Sequence, residues 1–262
     1  MMNELKISLI QSHLDWENKP ANLTHYGELL QGIAGRTDLA VLPEMYATGF
    51  VTKDLGLAEH EDGETMTLAR NWAKDYGFAV CGSFLVRETS GNLYNRGFLT
   101  TPKGETYFAD KRHLFRMGEE HLNFTAGDKN YPVINYKGWN IRLIVCYDLR
   151  FPVWCRNRDN EYDLLVCTAN WPLFRIDTWD TLLKARALEN ECYVCGVNRV
   201  GEDGLGYPHP GHSIVLDFRG KTVVQTEDNE TSVVTCEIRK AALETFRRKF
   251  PAWLDADKYQ II

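Results

Sequence analysis

The sequence predicts a mixed α/β fold, a four-layer αββα sandwich, from three observations. Strand-like runs outnumber helix-like ones, several successive strands are separated only by hairpin-type turns, and amphipathic stretches fall between the remaining strands. Hairpins join antiparallel neighbours and helical crossovers join parallel ones, so the sheets must be mixed. Two sheets packed face to face, with helices over both outer faces, give each helix an apolar surface to bury its stripe against.

Leu5–Ile10 opens the chain as a strand; the apolar run is short, contains Lys6 and lacks the basic, apolar, small-residue order of an export signal. Ala21–Ile33 is helical, Leu39–Leu42 is a short strand, and Glu64–Tyr76 is a helix capped by Asp62 or Gly63. Strands follow at Ala79–Val86, Arg96–Thr101 and Thr106–Phe108, with turns at Ser90-Gly91-Asn92 and Pro102-Lys103-Gly104. Val133–Tyr136 and Trp139–Cys146 flank the Lys137-Gly138 turn. Phe151–Arg158 reads as a helix, Asp163–Thr168 as a strand, Thr178–Asn190 as a helix capped by Asp177, and Cys192–Val197 as a strand. Ser213–Phe218 and Thr222–Gln225 form a hairpin around Arg219-Gly220; Ser232–Ile238 is the last strand and Ala241–Phe246 the last helix. No repeat, low-complexity tract or linker divides the sequence, which predicts one domain over residues 1–262, with its core over 4–240 and a tail over 241–262.

A chain of 262 residues, 44% hydrophobic and 25% charged, has an ordinary globular composition. Folding at this length buries roughly 70–75% of the extended chain's surface, so no metal or disulfide is needed to supplement the core. A formal charge of −6 without a Lys/Arg stripe argues against a nucleic-acid partner. No run approaches the ~18 apolar residues of a membrane-spanning helix, so the expected location is the cytoplasm. The seven cysteines are an odd number, set mostly in apolar runs, which points to reduced, buried thiols rather than a disulfide scaffold.

Three segments deliver a reactive side chain where an apolar strand ends: Ala40–Glu44, Tyr107–Lys111 and Leu143–Asp148, carrying Glu44, Lys111 and Cys146. Strand ends near one edge of a sheet can converge on a pocket. There a carboxylate can take a thiol proton, while an ammonium favours the thiolate and stabilises developing oxygen charge. Each residue alone has a duller explanation: a solvated strand end, a charged Asp110-Lys111-Arg112 turn, an inert core thiol. The combination is a kit for acyl transfer.

These residues resemble the nitrilase (carbon–nitrogen hydrolase) superfamily. The likeness runs, in the family's order, through Leu42-Pro43-Glu44, Asp110-Lys111-Arg112-His113-Leu114-Phe115 and Val145-Cys146-Tyr147-Asp148-Leu149-Arg150-Phe151-Pro152. Ala185–Asn190 and Gly211-His212-Ser213 extend it over nearly the whole chain. It implies the same αββα sandwich, a Glu44–Lys111–Cys146 triad, and a fourth polar residue for which Glu120 fits better than Glu119, judged by its spacing to Gly127.

Within the superfamily the likeness is greatest to bacterial omega-amidases, through Lys111–Leu122, Asp148–Arg158, Ala169–Pro172, Asn198–Gly201 and Lys249–Asp257; Cys155 stands where a Ser is familiar. That implies hydrolysis of the terminal amide of 2-oxoglutaramate or 2-oxosuccinamate through a cysteine thioester, without cofactor or metal. The N–H of Tyr147 and the Lys111 ammonium are the expected oxyanion donors. The substrate's far carboxylate calls for a guanidinium, and Arg175 is the candidate, whereas Arg150 and Arg186 read as structural partners of acids such as Asp148 and Glu189. Tyr46, Phe115 and Trp171 are expected to wall the pocket, and the superfamily implies a homodimer.

Other readings are weaker. Cys192 and Cys195 have the spacing of a redox or zinc pair, but residues three apart on a strand face opposite sides. His209-Pro210-Gly211-His212 reads as a turn rather than a metal clip, and a Cys146–His113 dyad is an alternative nucleophile pair. Another amidase or N-carbamoyl amine hydrolase on the same triad is the enzymatic alternative. A catalytically silent binding protein would show a missing triad member, and none is missing.

Overall fold

The computed structural model describes residues 4–128 and 132–261. Its first half holds β1 (Glu4–Gln11), α1 (Lys19–Gln31), β2 (Leu39–Val41), α2 (Glu64–Tyr76), β3 (Ala79–Arg87), β4 (Leu93–Thr100), β5 (Thr106–Asp110) and the one-turn α3 (Glu120–Asn123). Then come β6 (Val133–Tyr136), β7 (Trp139–Val145), the one-turn α4 (Pro152–Cys155), β8 (Leu164–Thr168), α5 (Ile176–Asn190), β9 (Tyr193–Val197), β10 (Val200–Glu202) and β11 (Pro208–Pro210). β12 (Ile214–Leu216), β13 (Thr222–Gln225), β14 (Ser232–Arg239) and α6 (Lys240–Lys249) complete the order.

Two six-stranded sheets result, ordered β14-β1-β2-β3-β4-β5 and β13-β12-β9-β8-β7-β6, with β10 and β11 paired separately. In each, a central parallel trio (β1, β2, β3 and β7, β8, β9) is extended by antiparallel strands, because helix-bearing crossovers link the trio and short turns or returns supply the rest. Period-two alternation sorts the side chains into layers. Leu5, Ile7 and Leu9 of β1 meet Leu164 and Val166 of β8 in the core between the sheets. Ile10 and Val80 face Leu23, Tyr26, Leu30, Met66 and Trp72 of α1 and α2, while Leu165, Cys167 and Val194 lie under Trp179 and Leu183 of α5. This is the expected αββα order. Cys195 belongs to the inter-sheet core and Cys192 to the layer under α5, on opposite faces as the strand spacing requires.

Three local expectations are corrected. The helix read at Phe151–Arg158 is a single turn, since Asn157 turns its amide to Tyr162 and Asn190 and holds an irregular loop in which Asp159 and Asn160 take positive φ. α5 starts at Ile176, so Asp177 lies in its first turn and complements the helix dipole instead of capping it. The β10–β11 hairpin carries Pro208 and Pro210 and shows no strand-like alternation, so it was not expected. Among the described residues no helix is long and apolar enough to cross a membrane.

At Gly97 of β4 the two sheets approach closely: an added Cβ would lie 2.9 Å from the Ala109 carbonyl oxygen and 3.0 Å from Leu143 of the facing β7. A Gly97→Ala variant is therefore expected to lose about 1–3 kcal/mol by overpacking. Denaturant unfolding would read this as a lower midpoint at unchanged slope; an unchanged midpoint would show that the sheets can part there at no cost.

Candidate active site

The strand ends singled out in the sequence do converge. Glu44 follows β2, Lys111 follows β5 in the same sheet, and Cys146 follows β7 in the other, so the three heads meet at one end of the sandwich and line one cavity of about 240 Å³. Glu44 and Glu120 are fully buried and Lys111 nearly so.

Lys111 is fixed first by its backbone, whose N–H donates to the Asn95 carbonyl at 2.9 Å. Its ammonium then donates to Oε1 of Glu44 at 2.9 Å and lies 2.9 Å from Oε2 and 3.0 Å from Oε1 of Glu120, with the Phe50 ring 4.9 Å away. Burial alone would lower the ammonium's pKa, but the carboxylates of Glu120 and Glu44 outweigh it and keep the lysine charged. Glu120, at the start of α3, also accepts the Phe115 N–H at 2.6 Å. Desolvation nevertheless raises its carboxyl above the ordinary range, against the pull of Lys111. Glu119 by contrast is exposed and pairs with Lys53 at 3.1 Å.

Cys146 opens a 3-10 turn over Cys146–Arg150 and takes φ +47, a conformation unusual for a residue with a Cβ. Asp148 supports this elbow. One of its oxygens accepts the His113 N–H at 2.9 Å and sits 2.8 Å from the His113 ring; the other accepts from Val145 at 3.3 Å and Arg112 at 3.4 Å. A single buried carboxylate thus ties the residue before Cys146 to the two residues after Lys111. His113, occupied by Asp148 and stacked on Phe151 at 3.6 Å, is not among the residues lining the cavity, so the Cys146–His113 dyad finds no support in the geometry.

The thiol of Cys146 lies between two opposite charges in a buried setting. Burial, reinforced by the negative charge of Glu44, pushes it well above its usual range, and Lys111 together with the Asn170 backbone N–H does not reverse this. The ammonium's charge is already shared between two carboxylates. Because its pKa is raised, the thiol's proton must leave as the sulfur attacks.

Of the four expected substrate-contacting residues, Tyr147, Arg175, Trp171 and Phe115 all line the cavity. Arg175 lies over Phe115 at 5.0 Å and over Phe174 at 4.7 Å. Tyr46 does not line it: its ring packs among Tyr26, Trp72 and Phe98 and its hydroxyl donates to the Thr65 carbonyl. Arg186 is structural as read, bonded to Glu189 and the Leu149 carbonyl. Arg150 is not. A 3-10 turn has three residues per turn, so side chains two apart diverge, and while Asp148 turns inward, Arg150 lines the cavity with its guanidinium 5.2 Å from the Trp171 ring. Burial and the neighbouring Arg150 lower the pKa of Arg175, and among the described residues neither guanidinium has a carboxylate partner.

Sequence reasoning missed two further groups. Asn95 donates to Oε1 of Glu44 at 2.7 Å, and Asn170 donates to the Glu44 carbonyl at 2.6 Å. Asn170 falls in the quoted Ala169–Pro172 motif but carried no role; Asn95 had no signal beyond being a polar residue in a strand. The hairpin loop with Asp203, Leu205 and Tyr207, and Trp16 from the β1–α1 connection, complete the outer wall.

Comparison with known proteins shows the family of the chain. The carbon-nitrogen hydrolase family profile matches residues 6–248. The chain is 42% identical to "Omega-amidase YafV" of Escherichia coli K12 over 99% of this chain and all of the relative. It is 30% identical to the 2-oxoglutaramate amidase of Bacillus subtilis over 96% of this chain and 97% of that one. A crystal structure from Xanthomonas campestris, a CN-hydrolase superfamily protein with an arsenic adduct in its active site, superposes with a TM-score of 0.97 at 42% identity, covering both chains in full.

Proposed function

Because the chain belongs to the carbon–nitrogen hydrolase family, we propose that it is an omega-amidase, hydrolysing the terminal amide of 2-oxoglutaramate or 2-oxosuccinamate to the 2-oxo dicarboxylate and ammonia. The observation that carries the substrate class is the cavity itself: an acyl-transfer triad at its base and, on its wall, two guanidinia without carboxylate partners. Arg175 is half-buried and Arg150 exposed where they line the cavity; a guanidinium without a carboxylate partner gains when an anion meets it, and a 2-oxo acid brings a carboxylate.

In this reading Glu44 takes the proton of Cys146 as sulfur attacks the amide carbon. The oxyanion is met by the Lys111 ammonium and the Tyr147 N–H. Collapse returns the proton to the amine, ammonia leaves, and water activated by Glu44 cleaves the thioester to release the acid and restore the thiol. Glu120 keeps Lys111 aimed. Arg175 and Arg150 hold the distal carboxylate, while Phe115 and Trp171 pack along the chain between. A homodimer in the cytoplasm completes the proposal; support for the compartment comes from seven unpaired cysteines.

The test compares ammonia release from 2-oxoglutaramate, glutamine and an N-carbamoyl amine. A clear preference for the keto acid amide is expected, and its absence would defeat the omega-amidase reading in favour of another amidase. Arg175→Ala and Arg150→Ala should each raise KM for 2-oxoglutaramate by about 10- to 100-fold, the worth of a charged hydrogen bond. Turnover of a neutral short amide should hardly change. Equal losses on both substrates would remove the two arginines from substrate binding.

A further inference from the structure

The amide of Asn95 occupies a position that nothing so far explains. It is buried on β4, and its nitrogen donates both to Oε1 of Glu44 at 2.7 Å and to Oε1 of Glu120 at 3.3 Å. Its own side-chain carbonyl oxygen, also buried, has no hydrogen-bond partner among the described residues. Leaving that oxygen unmatched costs free energy, yet flipping the amide would set an oxygen against two carboxylates. The orientation is therefore dictated by the two acids. Among uncharged side chains, a primary amide has the two hydrogens on one atom that this place requires.

Oε1 of Glu44 thus accepts from two donors, Lys111 and Asn95, whereas among the described residues Oε2 has only the long 3.4 Å contact to the Asn170 amide. We propose that Asn95 is a positioning residue for thiol deprotonation: it locks Oε1 of Glu44 and Oε1 of Glu120 with one amide, holds both acids in register on Lys111, and leaves Oε2 of Glu44 to take the Cys146 proton. The proton passes from Sγ to Oε2 as the sulfur lone pair attacks, so charge balances within the cluster. The titratable groups that face one another here are Glu44 after β2, Lys111 after β5, Glu120 of α3 and Cys146 after β7; β8 contributes only the neutral Asn170. The proposal rests on the Glu–Lys–Cys reading of the site and is independent of which amide is cleaved.

The experiment follows alkylation of Cys146 by iodoacetamide against pH, beside kcat and KM for 2-oxoglutaramate, in Asn95→Ala and Asn95→Asp. Removing a donor from an ionised carboxylate makes it easier to protonate. Asn95→Ala should therefore move the acid limb of both profiles upward by about one pH unit, lower kcat about 10- to 100-fold and leave KM within about twofold. Asn95→Asp, which adds a third acid, should move the limb further. A merely structural asparagine would lower rates without moving the limb, and that result in both variants overturns the proposal. Alkylation still reports if the wild-type enzyme ignores 2-oxoglutaramate, which separates this failure from failure of the substrate assignment. Should neither variant fold, 15N NMR of the wild type decides: the two Asn95 side-chain protons are expected downfield and slow to exchange, and ordinary shifts with rapid exchange would refute the idea.

Discussion

Cys146→Ala is expected to release no ammonia above background, a loss of about 10⁴-fold or more, because the bond-forming atom is gone and the remaining groups have no intermediate to stabilise. The fold should survive, since the side chain stands at the cavity rather than within the inter-sheet core. The wild type offers a matching test. Iodoacetamide should label Cys146 ahead of the other cysteines, five of which are buried, and labelling should quicken with pH because burial holds the resting thiol protonated. Ammonia release at the wild-type rate by the alanine variant, or equal labelling of all seven cysteines, would return the chain to the silent binding reading.

Lys111→Met should be nearly as damaging to turnover and far more so to stability. The ammonium lies within 3.0 Å of both Glu44 and Glu120, and all three are buried. Removing one member of such a cluster leaves uncompensated charge, typically costing about 3–5 kcal/mol. The pH dependence has a definite sign. Without the cation nothing opposes the desolvation that raises Glu120, so the folded protein holds that carboxyl more protonated than the unfolded chain does. Stability is then greatest near or below the ordinary carboxylate range, about 4.3 for Glu, and falls as pH rises through the elevated folded value. The variant should consequently melt higher at pH 5 than at pH 8 relative to the wild type, as followed by calorimetry. An equal deficit at both pH values would show that losing the ammonium does not change the folded carboxyl's proton affinity, and would overturn this pH dependence.

Much of this site was legible because its reactive residues end apolar runs, and a strand end is a place that pattern alone can locate. Glu44, Lys111 and Cys146 were found that way, and the resemblance supplied Glu120. What stayed hidden depended on side-chain direction. Arg150 and Asp148 are two apart in sequence, which suggested a pair, yet in the tight turn one faces the backbone N–H groups of Val145 and His113 and the other faces the cavity. Asn95 becomes significant only once the ends of β2 and β5 and the start of α3 close over it, a long-range fact with no local trace. That two acids share the lysine's charge was hidden too, since composition shows which charges are present but not how they pair. The β10–β11 hairpin escaped notice because its prolines and short length mimic an ordinary loop.

The pairing of β1 with β14, in full register from Glu4 opposite Arg239 to Gln11 opposite Ser232, makes β1 wait during synthesis for a strand translated much later. At about 5–20 residues per second, that interval lasts on the order of 10–50 s. Throughout it a flank of apolar nascent chain lacks its permanent neighbour. Holdase chaperones should accordingly bind the growing polypeptide through the N-terminal β1 segment, and let go only after synthesis has passed Arg239.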